Sequence, residues 1–307
     1  MDWAAAPAVE TVGLRKVFGS KVAVDSLTLT VERGEVFGFL GPNGAGKTTA
    51  IKMLMGLVQP TAGQARILGR PVTDLSMRRH IGFLPEHFRF HDWLQATEFL
   101  DWHGELYGMS PAERRKRIPE VLAAVGLADV PHQRLHTFSK GMLQRIGLAQ
   151  ALLNHPAVVF LDEPTSALDP LGRRDVRDLI KQVKAEGVTV FLNSHLLSEI
   201  EMVCDRVAII DHGRVVSQGR LNDLLASQLE VDLRVEGLSA EGLAALQALS
   251  ASLSVTGDRL QAAVRQEEDI PRLVEAVVSS GAHLYELTPR RRSLEDLFVR
   301  VIEEAER

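Results

Sequence analysis

A chain of 307 residues with 45% hydrophobic content is long enough for two compact domains with ordinary apolar cores. Its one cysteine, Cys204, excludes an internal disulfide and a Cys-rich zinc site, and suits a reducing compartment. The formal net charge of −5 gives no global attraction to nucleic acid, and no segment reaches the roughly 18–20 uninterrupted apolar residues of a membrane span.

The opening Met1-Asp2-Trp3-Ala4 lacks the basic and apolar regions of a secretory leader, so none is expected. Val9 to Leu14 and Ala23 to Val31 alternate with period two and read as strands. Glu32-Arg33-Gly34-Glu35 then turns the chain into a third, the apolar run Val36 to Leu40. That run enters Gly41-Pro42-Asn43-Gly44-Ala45-Gly46-Lys47-Thr48-Thr49, which fits the pattern G-x-x-x-x-G-K-[ST]. Glycines there let the backbone curl, so that successive N–H groups and the positive end of the next helix converge on a polyphosphate. Lys47 is placed to reach β- and γ-phosphates, and Thr48 to offer its hydroxyl to Mg²⁺. The helix that follows is expected to turn Ile51, Leu54, Met55 and Leu57 inward.

From about His87 to Phe138 the strand signal gives way to a helical one. Trp93, Phe99, Leu100, Trp102, Leu106 and Tyr107 approximate a helical stripe, which predicts a helical insertion. Strands return at Val158 to Leu161 and Val188 to Leu192, separated by a helix from Arg173 to Glu186, as in a parallel sheet. The first of these ends in Asp162-Glu163, at the strand end where ligand crevices form. Asp162 is expected to hold Mg²⁺, and Glu163 to polarise the water that attacks a γ-phosphate. A hairpin of Arg206 to Ile210 and Arg214 to Ser217 closes the first domain.

From about Gln228 the rhythm changes. Val231 to Val235, Ala240 to Leu249, Leu253 to Val255, Leu260 to Val264, Ile270 to Ser279 and His283 to Leu287 read as β-α-β-β-α-β, a ferredoxin-like order, before a last helix from Ser293 to Glu304. The expected fold is α/β. A domain over 1–222 carries a parallel sheet core, an antiparallel edge and a helical subdomain at about 87–153, and an accessory α+β domain covers 228–307.

Between the phosphate loop and the two acids stands Phe138-Ser139-Lys140-Gly141-Met142, opening a helix that runs to Leu153. The order of phosphate loop, Ser-x-Gly, Leu161-Asp162-Glu163-Pro164, Ser166-Ala167-Leu168-Asp169 and Ser194-His195 resembles the ATPase subunits of ATP-binding-cassette transporters, over residues 9 to about 222. The resemblance implies an ATP- and Mg²⁺-dependent ATPase in which Ser139, Lys140 and Gly141 act in trans, on ATP held by the phosphate loop of a second copy. It implies that Asp169 links the two sites, that Phe18 stacks on adenine, and that His195 contacts the γ-phosphate. It further implies a homodimer, or a dimer with a close homologue, at the cytoplasmic face of the inner membrane, working on separately encoded permease subunits, with no membrane span of its own and no nucleic acid.

Two departures narrow the branch. The usual Leu-Ser-Gly-Gly-Gln is here Phe138 to Met142, and Glu86 replaces the usual Gln, so when ionised it accepts hydrogen bonds without donating. Both resemble ATPases of bacterial exporters for antibiotics, polysaccharides and lipids and of nitrous-oxide-reductase maturation, as does the tail Ser293 to Phe298. Alternatives are a non-transport ATPase of the same fold and an importer ATPase. The stretch between Lys47 and Asp162 leaves no room for long coiled coils, and a second phosphate loop is lacking. Arg114 to Arg117 and Arg290 to Arg292 read as solvated faces. His87, His91 and His103 lack the acid or Cys spacing of a metal site. Phe88, Phe90 and Trp93 read either as core or as a docking patch for a membrane subunit.

Overall fold

The computed structural model describes residues 6–87, 91–226, 229–264, 266–291 and 293–305. The chain divides into two compact units, one running to Gln218 and the other from Gly219 to Glu304.

In the first unit, β1 (Val9–Phe18) and β2 (Lys21–Val31) form an antiparallel hairpin. It extends beyond the predicted Leu14, because pairing persists through Val17↔Val22 and Phe18↔Lys21. β3 (Val36–Leu40) is buried along its whole length and leads into α1 (Lys47–Leu54). β4 (Ala62–Ile67) and β5 (Arg70–Pro71) complete an antiparallel sheet of order β2-β1-β4-β5. They were not anticipated, because Ala-Gly-Gln-Ala-Arg-Ile carries little β propensity and is held by pairing to β1.

After β6 (Ile81–Leu84) come α2 (Ala96–Leu106), α3 (Pro111–Ala124) and α4 (Lys140–Leu152). β7 (Val158–Asp162), α5 (Pro170–Ala185), β8 (Thr189–Asn193), α6 (Leu197–Val203), β9 (Arg206–Asp211) and β10 (Arg214–Arg220) follow. The central sheet has the order β10-β9-β3-β8-β7-β6, with β9, β3, β8, β7 and β6 parallel to one another. Strands covered on both faces read as unbroken apolar runs, as β3 and β7 do. Their phenylalanines meet in the core, where Phe191 lies 5.6, 5.3 and 5.1 Å from the rings of Phe37, Phe39 and Phe160.

Two packing expectations are corrected. Leu57 is exposed, because α1 stops at Leu54 and Gly56 (φ 67°) turns the chain before Leu57 is reached. Of the helical stripe, Phe99 and Leu100 are buried, whereas Trp93, Trp102 and Leu106 are exposed. Trp93 precedes α2, and Trp102 and Leu106, four residues apart, share a strip beside the buried one. Phe88 and Phe90 lie outside the described residues. Among the described residues no helix is long and apolar enough to cross a membrane.

The second unit begins with α7 (Leu221–Ala226) and continues through β11 (Leu229–Glu236), α8 (Ala240–Leu249), β12 (Ser252–Thr256), β13 (Arg259–Val264), α9 (Ile270–Ser279), β14 (His283–Arg291) and α10 (Leu294–Ala305). Its sheet is antiparallel with the order β12-β13-β11-β14, the ferredoxin-like arrangement. Alternate residues Val231, Leu233 and Val235 pack with Leu246, Leu273 and Val277 from α8 and α9, which leaves the other face of the sheet polar.

Candidate functional site

The carboxyl end of the parallel sheet opens into a cleft of about 500 Å³. Asn43, Gly44, Gly46, Lys47, Thr48 and Thr49 line one side, and Glu86, Glu163, Asn193 and His195 another, with Lys21 and Ala23 at the rim. The loop from Gly41 to Gly46 takes its path for reasons written in its glycines. Gly44 and Gly46 have φ of 85° and 103°, where a side chain is strained. A Cβ on Gly41 would collide with the Ile210 carbonyl, and one on Gly46 with that of Ala23. From outside, the Gly213 N–H of the β9–β10 turn donates to the Ala45 carbonyl at 2.9 Å. The N–H groups of Lys47 and Thr48 open α1, and an α-helix offers its first N–H groups no carbonyl. Pro42 sits inside the loop, and its carbonyl accepts from the Ala45 N–H at 3.2 Å.

Lys47 folds back over this loop, its Nζ donating to the carbonyls of Gly41 at 2.6 Å and Pro42 at 3.1 Å. Burial lowers its pKa, while Glu163, Asp162 and Glu86 act in the opposite direction. The carboxylates are in turn affected by where the strands end. Asp162 closes β7 in register with Asn193, which closes β8. Asn193 Nδ2 donates to Asp162 Oδ1. Asp162 is 2% exposed, and its pKa is raised first by burial, against the Asn193 hydrogen bond and Lys47.

Glu163 adopts φ 55°, a left-handed conformation unusual outside glycine, and that turn aims its carboxylate across the cleft. The carboxylate accepts the His195 backbone N–H at 2.9 Å and lies 2.6 Å from His195 Nδ1. Burial raises the Glu163 pKa, and His195 opposes the shift. Glu86 is half-exposed beside His87, at 4.0 Å.

Phe18 stands just outside the lining. It is 49% exposed, pairs with Lys21 across the hairpin, and has Lys16 Nζ 4.9 Å from its ring centroid. Ser139, Lys140, Gly141 and Asp169 are not brought into the cleft. Ser139 caps α4 by accepting the Met142 N–H at 3.2 Å, Lys140 is exposed beside it, and Gly141 lies against Leu168. Asp169 caps α5 through the Gly172 N–H at 2.8 Å.

Sequence reasoning passed over Asn193, Lys21 and Ala23. Asn193 had a signal, a polar residue ending an apolar strand as Asp162 does; Lys21 and Ala23 reach the cleft only through the fold of the hairpin. The oxygens of Thr48, Asp162, Glu86 and Asn193 are the hard donors that Mg²⁺ prefers, and Asn193 Oδ1 is buried without a partner among the described residues. Among the described residues no three His, Cys, Asp or Glu converge as a metal centre. Mg²⁺ in phosphoryl-transfer sites binds through one or two carboxylates plus substrate phosphates.

Residues 24–166 match a family described as ABC transporter. A Synechocystis sp. protein, named an uncharacterized ABC transporter ATP-binding protein, is 41% identical over 96% of this chain and 85% of its own. The daunorubicin/doxorubicin resistance ATP-binding protein DrrA of Streptomyces peucetius is 41% identical over 81% of this chain and 76% of its own. Among solved structures, an ATP-binding cassette captured as a dimer in a post-hydrolysis state with ADP and Pi aligns with TM-score 0.64 and 28% identity, over 69% of this chain and 98% of that one.

Proposed function

Because this chain belongs to the ABC transporter family as an ATP-binding subunit, we propose that two copies close head to tail on two ATP molecules and thereby drive separately encoded permease subunits of an exporter. The family hydrolyses ATP, and its drug-resistance members are among the similar proteins. One observation carries the reading. The cleft of a single chain contains the phosphate loop, Glu163 and His195, whereas Ser139, Lys140, Gly141 and Asp169 lie outside it. A second copy supplies what the first lacks, and the dimeric ATP-binding cassette supports that arrangement.

In this reading Lys47 exchanges the Gly41 and Pro42 carbonyls for the β- and γ-phosphates, while the N–H groups of Gly44 to Thr48 hold the remaining oxygens and Thr49 follows in the same helix turn. Phe18 and Lys16 flank the base at the rim. Thr48, Asp162 and Glu86 would hold Mg²⁺, with Asn193 orienting Asp162, and the ion would supply neutralisation of the phosphate charge. Glu163 accepts the proton of the attacking water, and His195 orients its carboxylate from both the backbone and the ring. In the closed dimer Ser139, Lys140 and Gly141 reach the partner's γ-phosphate from the start of α4, and Asp169 joins the two sites. Each ATP thus binds the closed state better than the open one, which is the condition for doing work. The same reading places the chain at the cytoplasmic face of the inner membrane, peripherally, against its permease.

The test is Glu163→Gln, which keeps an acceptor for the His195 N–H but removes the base. Phosphate release should fall by about 10²–10⁴-fold, and light scattering should show a dimer that appears only with ATP. Turnover at the parental rate would sink the assignment.

A further inference from the structure

We propose that Gln144 is a positioning residue that makes the readiness of Glu163 depend on the placement of α4; the proposal rests on Glu163 being the base. Gln144 lies on α4, in the turn after Ser139, and is half-buried. Its Nε2 donates to the carbonyls of Glu163 at 3.2 Å and Pro164 at 3.0 Å. A primary amide has two N–H donors, so both bonds are satisfied by one group.

The peptide so held needs holding. Glu163 is in the left-handed region, where a non-glycine residue persists only when its surroundings over-determine it. On its N-terminal side the Glu163 N–H donates to the Asn193 carbonyl at 2.9 Å, so β8 secures the entry to the turn. On the exit side the Glu163 carbonyl accepts the Ser166 N–H at a long 3.3 Å, a contact within the turn itself. Gln144 is the tie from another element on this side, and it grips two successive carbonyls of the turn that carries Glu163.

α4 is rigid enough to transmit a displacement. At its start the Leu143 N–H donates to the Ser139 carbonyl at 2.9 Å, so Ser139 and Gln144 move as one unit. Near its end the Ala151 carbonyl lies so close to Gly82 of β6 that a Cβ there would collide with it, which pins that end of α4 to the sheet. The opposite end carries Ser139 and Gly141. When that end is drawn onto the phosphate of a second copy's ATP, the Glu163–Pro164 peptide is drawn with it. One ATP site then reports its occupancy to the other through a route distinct from Asp169.

The experiment is steady-state ATPase of the full chain with three variants and their combinations. Gln144→Met keeps length without a donor, Gln144→Lys keeps a donor, and Ser139→Ala removes the hydroxyl at the helix start. Gln144→Met should lower kcat about tenfold, as small misplacements of reacting groups do, with KM for ATP within about twofold. Gln144→Lys should recover most of that loss. Ser139→Ala should cost less in the Gln144→Met background than in the parent, because the two act along one path. An unchanged kcat in Gln144→Met, equal losses in Met and Lys variants, or effects that simply multiply would each overturn the proposal. If Gln144→Met does not fold, the kcat of Gln144→Lys against the parent decides: near-parental activity supports the donor role, and a loss of tenfold or more overturns it. Glu163→Gln, run in parallel, separates the premises, since parental turnover there removes the base reading whatever Gln144 does.

Discussion

Replacing Asn193 with Ala sets two buried polar effects against each other. The substitution deletes the amide donor that faces Asp162, a carboxyl 2% exposed whose pKa burial has raised. A hydrogen bond to a charged group contributes about 1.5–3 kcal/mol. Against that loss, Asn193 Oδ1 is a buried acceptor without a partner among the described residues, and deleting an orphaned polar atom recovers about 1 kcal/mol. The loss wins by about 0.5–2 kcal/mol, which for a unit of this size lowers Tm by about 1–8 °C. The pH dependence has a definite sign. Because burial holds the folded pKa of Asp162 above the ordinary carboxylate value, the folded state holds its proton more tightly than the unfolded chain, and stability falls as pH rises from the unfolded to the folded pKa. Removing Asn193 raises the folded pKa further, so the variant's deficit is complete above that pKa and shrinks toward pH 4. Thermal unfolding followed by circular dichroism at about pH 4.5 and 8 measures it. Equal Tm values for variant and parent at pH 8, or a deficit that grows on acidification, would refute the reasoning.

Gly82→Ala should destabilise by about 1–3 kcal/mol in chemical denaturation, toward the upper end because the obstructing Ala151 oxygen is backbone. Arg177→Met leaves Glu199, 8% exposed, without the guanidinium at 2.7 and 2.8 Å. The expected cost is about 3 kcal/mol or slightly more, and the double variant Arg177→Met with Glu199→Leu should recover most of it; a single variant as stable as the parent would contradict the pairing. Phe18→Ala should leave Tm unchanged, since the ring is 49% exposed, yet weaken ATP binding in calorimetry by about 1–3 kcal/mol. Unaltered affinity would return Phe18 to an ordinary surface aromatic.

What a reader of the chain can see is whatever depends on neighbours in sequence. The phosphate loop is legible because Gly44 and Gly46 occupy backbone conformations that other residues resist, and the chemistry of Lys47 and Thr48 follows at fixed spacing. The α/β class, the apolar strands ending in Asp162 and in Asn193-Ser194-His195, and the β-α-β-β-α-β order of the second unit follow from periodicity, which is also local. Pairing is not local. β4 exists because β1 offers it an edge, β5 because β4 does, and Trp102 and Leu106 are exposed because the buried face of α2 is narrower than its apolar stripe. The register of β7 with β8 sets Asn193 against Asp162, and the seating of α4 sets Gln144 against Glu163. The sequence by itself determined which groups are candidates to bear the chemistry, since that is written in residue type and spacing. Only the tertiary structure decided which of them share one cleft, that Lys47 rests on its own loop, and that Ser139 and Gly141 lie outside that cleft, because these depend on strand register and helix seating between residues far apart in the chain.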